Sequence, residues 1–412
     1  MAKATQCLTT ITCIWRLLMD MEADSRDMVC RCSSNMAWGS LECRLHTVWA
    51  SQEWGCQGKE WDTECRANSQ ECLELMEMKM TSRYFDEGDG FNTRLLQFLN
   101  QVFNQSQAYI KQLRIGLWKY KIGGKTWLVK QFSSRQKLQN QIALTNRLRQ
   151  SGFHQSYRFH DIHYNQNILV FEQKIFGIIE FIKTSKEVFS FQEKSKRDEA
   201  LEVINRFHMT TSTFVQHYFY SIPFFNQIEK WKQRLFEFKS NRFTLENHLP
   251  PYILSAYIEW GEWALDRMEK NQAYFLRKPY CIIHGDVAFH NFLLNRQKTL
   301  CLIDFDLISV APPLVDYLQI ANRFLPSIHW SVKDLFEHKL MEKFSRDPLF
   351  LIALIYPTDV FREWNRFVKS DEVMKNTMWP FLYDLSIHQF PLRMAMVNNI
   401  LQTLEVNKGN LT

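Results

Sequence analysis

The chain has 412 residues, 46% apolar and 23% charged, enough for one large domain or two ordinary ones with a sizeable core. It contains no run of about 18 apolar residues, which speaks against a spanning helix, and Arg16 interrupts the N-terminal apolar stretch 11–19 with no small-residue cleavage site behind it, so that stretch makes a poor secretion signal. The net charge of +6 is uneven: residues 1–80 hold 8 Lys and Arg against 12 Asp and Glu, whereas residues 81–412 hold 42 against 32. A basic surface suits nucleic acid, an anionic membrane or a phosphorylated ligand, and net charge alone does not choose among them.

Residues 1–80 differ sharply from the rest. Eight of the ten cysteines, five of the thirteen tryptophans and eight of the fifteen methionines lie there. The even cysteine count allows a disulfide module, and Cys30, Cys32 and His46 allow a metal site, but no C-x-x-C pair occurs. Without sustained periodicity, the segment reads as a disordered or spurious extension, with the start at Met78 or Met80. The two remaining cysteines, Cys281 and Cys301, fit a reducing, cytoplasmic compartment.

From there the pattern predicts, in chain order, an amphipathic helix over 93–104 and a strand over 113–121. A Gly123-Gly124-Lys125 turn and a strand over 126–132 complete a hairpin. A helix follows at 135–149, then strands at 167–173 and 175–182, and a helix at 197–215. Residues 225–272 read as helical and aromatic. Short strands at 281–284, 292–294 and 300–305 flank a loop, and the remainder is helical, broken at Pro326, Pro348, Pro357, Pro380 and Pro391. Strands first and helices later is an α+β order, with parts at 81–182 and 183–412.

The chemistry concentrates in Ile283-His284-Gly285-Asp286-Val287-Ala288-Phe289-His290-Asn291, followed by Ile303-Asp304-Phe305-Asp306. Phosphoryl transfer needs positioning and charge neutralisation more than covalent help. One carboxylate faces the acceptor hydroxyl, and an amide and a second carboxylate hold a divalent metal. Asp286 and Asn291 stand five apart, the kinase catalytic-loop spacing, and Asp304-Phe305 begins like a D-F-G segment with Asp306 in place of the glycine. Each piece alone could be a turn or a strand end; the joint spacing makes them a candidate site.

This H-G-D-x-x-x-x-N and I-D-F-D pattern resembles the aminoglycoside phosphotransferase and choline kinase superfamily. The resemblance implies a bilobal protein-kinase-like fold, a small antiparallel-sheet N-lobe with a larger, mainly helical C-lobe, and use of ATP and Mg²⁺ to phosphorylate a small-molecule hydroxyl. It implies Asp286 as catalytic base or hydroxyl-orienting group, with His284 supporting its loop, and Asn291 and Asp304 as magnesium ligands. Lys130, in Trp127-Leu128-Val129-Lys130, would touch the α/β-phosphates. The hinge-like Gly177–Ile182 stretch would offer Glu180, Phe181 and Ile182 to the nucleotide, with backbone groups of Glu180 and Ile182 meeting the adenine. Ala311-Pro312-Pro313-Leu314-Val315-Asp316 resembles the family's D-P-x-x-D segment, with Pro312 replacing its first Asp and Asp316 capping the following helix. His208 reads as a packed core histidine.

Two departures stand out. No G-x-G-x-x-G occurs, and Gly116 is alone before the hairpin. The residues between Asp89 and Asp161 include no Asp or Glu, so the helix at 135–149 offers Lys130 only Gln136, Gln139, Asn140 and Gln141 where kinases have a glutamate. A neutral amide can orient Lys130 with less charge. The Ala-Pro-Pro segment, hinge and aromatic helices are similar to spore-coat kinase-like proteins of Bacillus-type bacteria. That leaves open a nucleotide-binding pseudokinase scaffold with spore-coat partners. No recognition helix, zinc finger or RNA-binding motif supports a nucleic-acid module.

Overall fold

A computed structural model describes residues 89–105, 107–163 and 168–409; the reading of residues 1–80 lies outside them. The N-terminal part is a five-stranded antiparallel sheet in the order β1-β2-β3-β5-β4. Its strands are β1 (Tyr109–Arg114), β2 (Leu117–Ile122), β3 (Lys125–Phe132), β4 (Leu169–Phe171) and β5 (Lys174–Glu180). Two helices accompany them, α1 (Asp89–Val102) and α2 (Arg135–Gln150).

Strand periodicity divides the sheet into two faces. Trp118 and Tyr120 of β2, Val129 of β3, and Phe176 and Ile178 of β5 share one buried cluster with Phe91, Leu95 and Leu99 of α1. The Trp118 indole donates to Asn92 Oδ1 at 2.7 Å, which satisfies its N–H inside that cluster. Leu128, Lys130 and Ile179 occupy the alternate positions and look onto a cleft on the other face. Helix α2 starts at Ser134, whose hydroxyl accepts from the Lys137 N–H, and buries Leu138, Leu144 and Leu148 in the larger core of the chain.

The stretch 113–121, expected as one strand, holds a reversal. Gly116 adopts φ +70°, a conformation that favours glycine, and separates β1 from β2. Its carbonyl accepts from the Gln131 N–H at 2.8 Å, which ties the turn to β3. The apolar alternation continues through the turn, so periodicity alone hid it. The Gly123–Gly124 turn joins β2 and β3 as expected.

The C-terminal part is mainly helical: α3 (Lys194–Ser212), α4 (Gln227–Ser240), α5 (Pro251–Lys270), α6 (Leu314–Phe324), α7 (Pro348–Ile355), α8 (Thr358–Lys369), α9 (Glu372–Tyr383) and α10 (Phe390–Gly409), with shorter turns between. Two small ribbons carry the loops, β6 (Cys281–Ile283) paired with β9 (Ser309–Ala311), and β7 (Phe292–Leu294) paired with β8 (Leu300–Leu302). Strand β9 was not foreseen, and β8 ends before the predicted 305 because Asp304 turns left-handed, at φ +65°. Among the described residues no helix is long and apolar enough to cross a membrane.

Candidate active site

The loop between β6 and β7 hangs on a carboxylate from α6. Asp316, fully buried, accepts the backbone N–H of His284 (2.7 Å) and of Gly285 (3.0 Å), and lies 2.8 Å from His208 Nε2. It therefore does not cap its own helix, as the sequence suggested; Pro313 holds the N-cap position without a side-chain bond, and Asp316 reaches across to the loop. Burial alone would raise its pKa, but His208, His284 and the loop amides hold it below the ordinary carboxylate value. His208 is the packed histidine expected, 3% exposed, and its task is to satisfy Asp316.

His284 is completely buried. Its Nε2 faces the Ile303 carbonyl at 2.8 Å, which can only accept, so Nε2 carries the proton. Nδ1 then accepts from the Asp286 N–H at 3.3 Å. Both ring nitrogens are thus engaged within the protein, and His284 ties the loop to the Ile303 carbonyl. Gly285 adopts φ +79°, and a Cβ there would stand 2.4 Å from the Leu307 carbonyl oxygen; only glycine lets the loop lie against the turn that follows Asp304.

Asp286 and Asn291 meet as their spacing predicts. Asn291 Nδ2 donates to the Asp286 carbonyl (2.9 Å) and to its Oδ2 (3.1 Å), because a short 3-10 turn over Phe289–Asn291 folds the chain back. Asp286 Oδ1 stands 3.6 Å from the Arg323 guanidinium. The Ile303 N–H donates to the Asn291 carbonyl, which joins the first motif to the second.

Phe305 anchors that second motif. It is fully buried, stacks on Phe207 at 5.6 Å between ring centroids, and lies near Tyr157 and His284. The flanking acids are thereby held toward β3. Lys130 Nζ is 2.7 Å from Asp304 Oδ1 and 2.8 Å from Asp306 Oδ1, and Arg114 is 3.4 Å from Asp304 Oδ2. Burial would raise the Asp304 pKa, but Lys130 and then Arg114 overcome it and push the value down to about 2.

The amide expected to orient Lys130 does something else. Gln141 of α2 donates to Asp306 Oδ1 (2.8 Å) and to the Phe305 carbonyl (3.1 Å), while its Oε1 accepts from the Tyr157 hydroxyl (2.9 Å). The second carboxylate against Lys130 thus comes from Asp306, and the helix supplies an amide that fixes Asp306. Sequence reasoning noted Asp306 only as a replaced glycine; the acid-free stretch 90–160 was the available signal that the partner of Lys130 had to come from elsewhere.

Two cavities adjoin these groups. A cleft of about 160 Å³ has apolar walls that include Leu117, Leu128, Ile179, Phe181 and Ile182, with Lys130 and Asp304 at its polar end. Glu180 also lines it, yet the Glu180 N–H already donates to the Arg158 carbonyl (2.8 Å) and its carboxylate pairs with the Arg158 side chain (3.0 Å). The Glu180 N–H is therefore withdrawn from the role assigned to this residue's backbone, whereas the Ile182 N–H makes no backbone hydrogen bond among the described residues. A second cavity, about 340 Å³, opens at Asp286 and Gly285 and runs between α4, α6 and α8.

The residues fit a magnesium–nucleotide ligand. Magnesium is commonly held by one or two protein groups with water and phosphate completing its shell, and the Asn291 carboxamide with the Asp304 carboxylate is a donor set of that kind. The Asn291 amide nitrogen is committed to Asp286, leaving Oδ1 as its unused acceptor.

An antiparallel sheet over a helical part, with a strand lysine facing an Asp-x-x-x-x-Asn loop and an acidic turn across an apolar cleft, defines a kinase-like phosphotransferase fold. The chain belongs to the phosphotransferase enzyme family (APH), whose model matches residues 118–332. Among solved structures, an aminoglycoside phosphotransferase from Alicyclobacillus acidocaldarius superposes with a TM-score of 0.56 at 15% identity, over 73% of this chain and 92% of that one, a likeness of fold. A choline kinase from Streptococcus pneumoniae aligns at 15% identity and TM-score 0.43 over 76% of this chain and 100% of that one. A spectinomycin phosphotransferase solved with ADP and spectinomycin aligns at 12% and 0.46 over 73% and 98%. No curated protein matches the chain by sequence.

Proposed function

We propose that the protein transfers the γ-phosphoryl group of ATP to a hydroxyl of a small molecule, with magnesium bound at Asn291 and Asp304. The observation that carries this reading is the placement of Asp286, fixed by Asn291, at the mouth of the larger cavity, while Lys130 and Asp304 stand at the polar end of the apolar cleft. Asp286 orients the acceptor hydroxyl and takes its proton as the oxygen bonds to the γ-phosphorus. The bond from that phosphorus to the β,γ-bridging oxygen breaks, and ADP leaves. Lys130 exchanges its two carboxylate partners for nucleotide phosphate oxygens, which frees Asp304 for the metal. Magnesium held by Asn291 and Asp304 would supply charge neutralisation to the nucleotide phosphates. Phe181 and the Ile182 N–H form the base end of the cleft.

The neutral Gln141 favours the alternative, a nucleotide-binding scaffold of the spore coat without turnover. Asp306 weighs against it, because it restores a carboxylate to Lys130. The deciding measurement is acceptor-dependent ATP consumption by the full chain beside Asp286→Asn, with thermal stabilisation by ATP–Mg²⁺ recorded in parallel. Turnover lost in the variant supports the enzyme; stabilisation without turnover in either protein supports the scaffold.

A further inference from the structure

The larger cavity carries an unusual charge balance. Three carboxylates line it, and each already faces a cation. Asp359 is held bidentately by Arg393 (2.9 and 2.7 Å), Glu363 accepts from Arg362 Nε (2.6 Å), and Asp286 stands 3.6 Å from Arg323. Lys230 and Arg234, on the α4 wall, have no carboxylate within ion-pair distance among the described residues. Among the described residues, the side-chain hydrogen-bond partner of the Arg234 guanidinium is the neutral Thr358 hydroxyl, at 2.6 Å.

Desolvation and the neighbouring Arg362 push the Arg234 guanidinium down to about 10, and burial with Arg234 and Arg362 lowers the Lys230 ammonium as well. Cations gathered so closely in a partly desolvated pocket destabilise one another until an anion sits among them. Arginine in such a place is suited to planar recognition of carboxylate or phosphate. A cationic acceptor would meet like charge there. The volume, about 340 Å³, is at the small end of ligand pockets and suits a monosaccharide-sized compound.

We propose that the acceptor is a small hydroxylated organic anion, bearing a carboxylate or phosphate group that seats on Arg234 and Lys230 while its hydroxyl faces Asp286. This rests on the phosphotransferase reading for the role of Asp286, but the anion site itself can be read without turnover.

The test is calorimetric titration of the full chain, with and without ADP–Mg²⁺. The ligands are glycerol phosphate, hexose monophosphate, glycerate and gluconate, their uncharged parents glycerol and glucose, and the cationic aminoglycoside kanamycin. At least one anion should bind about tenfold or more tighter than its parent, the size of one hydrogen bond to a charged group, and kanamycin should not compete. The phosphate and carboxylate pairs separate the two sources of charge. Arg234→Met should erase the preference, Arg234→Lys should restore part of it, and Lys230→Met, on the more exposed side chain, should reduce it severalfold. ADP–Mg²⁺ stabilisation serves as the check that each variant is folded. Equal binding of anions and parents, tight binding of kanamycin, or a preference that survives both Met variants would overturn the inference. Anion binding without any Asp286-dependent ATP consumption would instead overturn the phosphotransferase reading, and with it the acceptor role, and leave the anion site on Arg234 and Lys230 standing.

Discussion

The cavity lined by Asp286 and the cleft lined by Asp304 handle charge in opposite ways. In the smaller cleft the lysine is over-matched: Lys130 touches Asp304 and Asp306, and Arg114 adds a weaker contact to Asp304. In the larger cavity each carboxylate already faces at least one arginine, Glu363 both Arg362 and Arg366, and among the described residues Lys230 and Arg234 remain without a carboxylate. A site whose ligand brings its own divalent cation has to offer carboxylate; a site whose ligand brings only negative charge has to offer cations. On the proposed reading the smaller cleft takes a metal–nucleotide and the larger one an anionic acceptor, so the charge balance of each cavity describes what enters it.

The widest separation between the two comes from disabling the residue they share in function. Asp286→Asn should lower turnover by about 10²- to 10⁴-fold, the range for a general base or hydroxyl-orienting carboxylate. Stabilisation by ADP–Mg²⁺ should be nearly unchanged, since Asn291 and Asp304 are intact. Steady-state kinetics and thermal melts on the same preparation check both halves. A variant that loses nucleotide binding as severely as turnover would place Asp286 in the metal site and collapse the distinction.

Asp316 tests the scaffold under both cavities. Removing its carboxylate with Asp316→Ala strands two loop amides and His208 in a fully buried position, at a cost of about 3–5 kcal/mol by urea unfolding, as for a broken buried ion pair. The pH dependence has a definite sign. Its folded pKa is depressed, so its contribution is complete above the ordinary carboxylate value of about 3.9 and is lost as pH falls toward the lower folded value. Asp316→Asn should flatten that acid-side decline, and an unchanged stability profile would show that the loop does not depend on this carboxylate.

The fold and the core of the site were legible because they are local. The Asp286–Asn291 spacing, the Gly123–Gly124 turn and the periodicity of β3 are set within a few residues of chain. What escaped was long-range. Asp316 looked like a helix cap because caps are read from neighbours, whereas its partners are His208, His284 and Gly285. The cavity's cations come from separate helices, Lys230 and Arg234 from α4 and Arg362 from α8, and only folding brings them together. Gly116 was seen but not understood, since its carbonyl bond to Gln131 is a contact with the next hairpin strand.

The smallest effect is the most discriminating. If Asp306 supplies the carboxylate that α2 lacks, Asp306→Asn should reduce kcat/KM about tenfold, the worth of one charge-assisted contact to Lys130. Gln141→Glu alone should also harm, because it sets a second carboxylate where Gln141 now donates to Asp306 Oδ1 at 2.8 Å. Combined, the two changes move the carboxylate to the helix and the amide to the turn; the 141–306 hydrogen bond can re-form with its direction reversed, but the donation to the Phe305 carbonyl is lost and the amide takes the place of the oxygen that faced Lys130. The double variant should therefore recover only part of what the single changes lose, a coupling of about 0.5–1 kcal/mol in a double-mutant cycle. Simple additivity would mean that Lys130 does not need the acid at 306, and that the smaller cleft is neutralised by Asp304 alone.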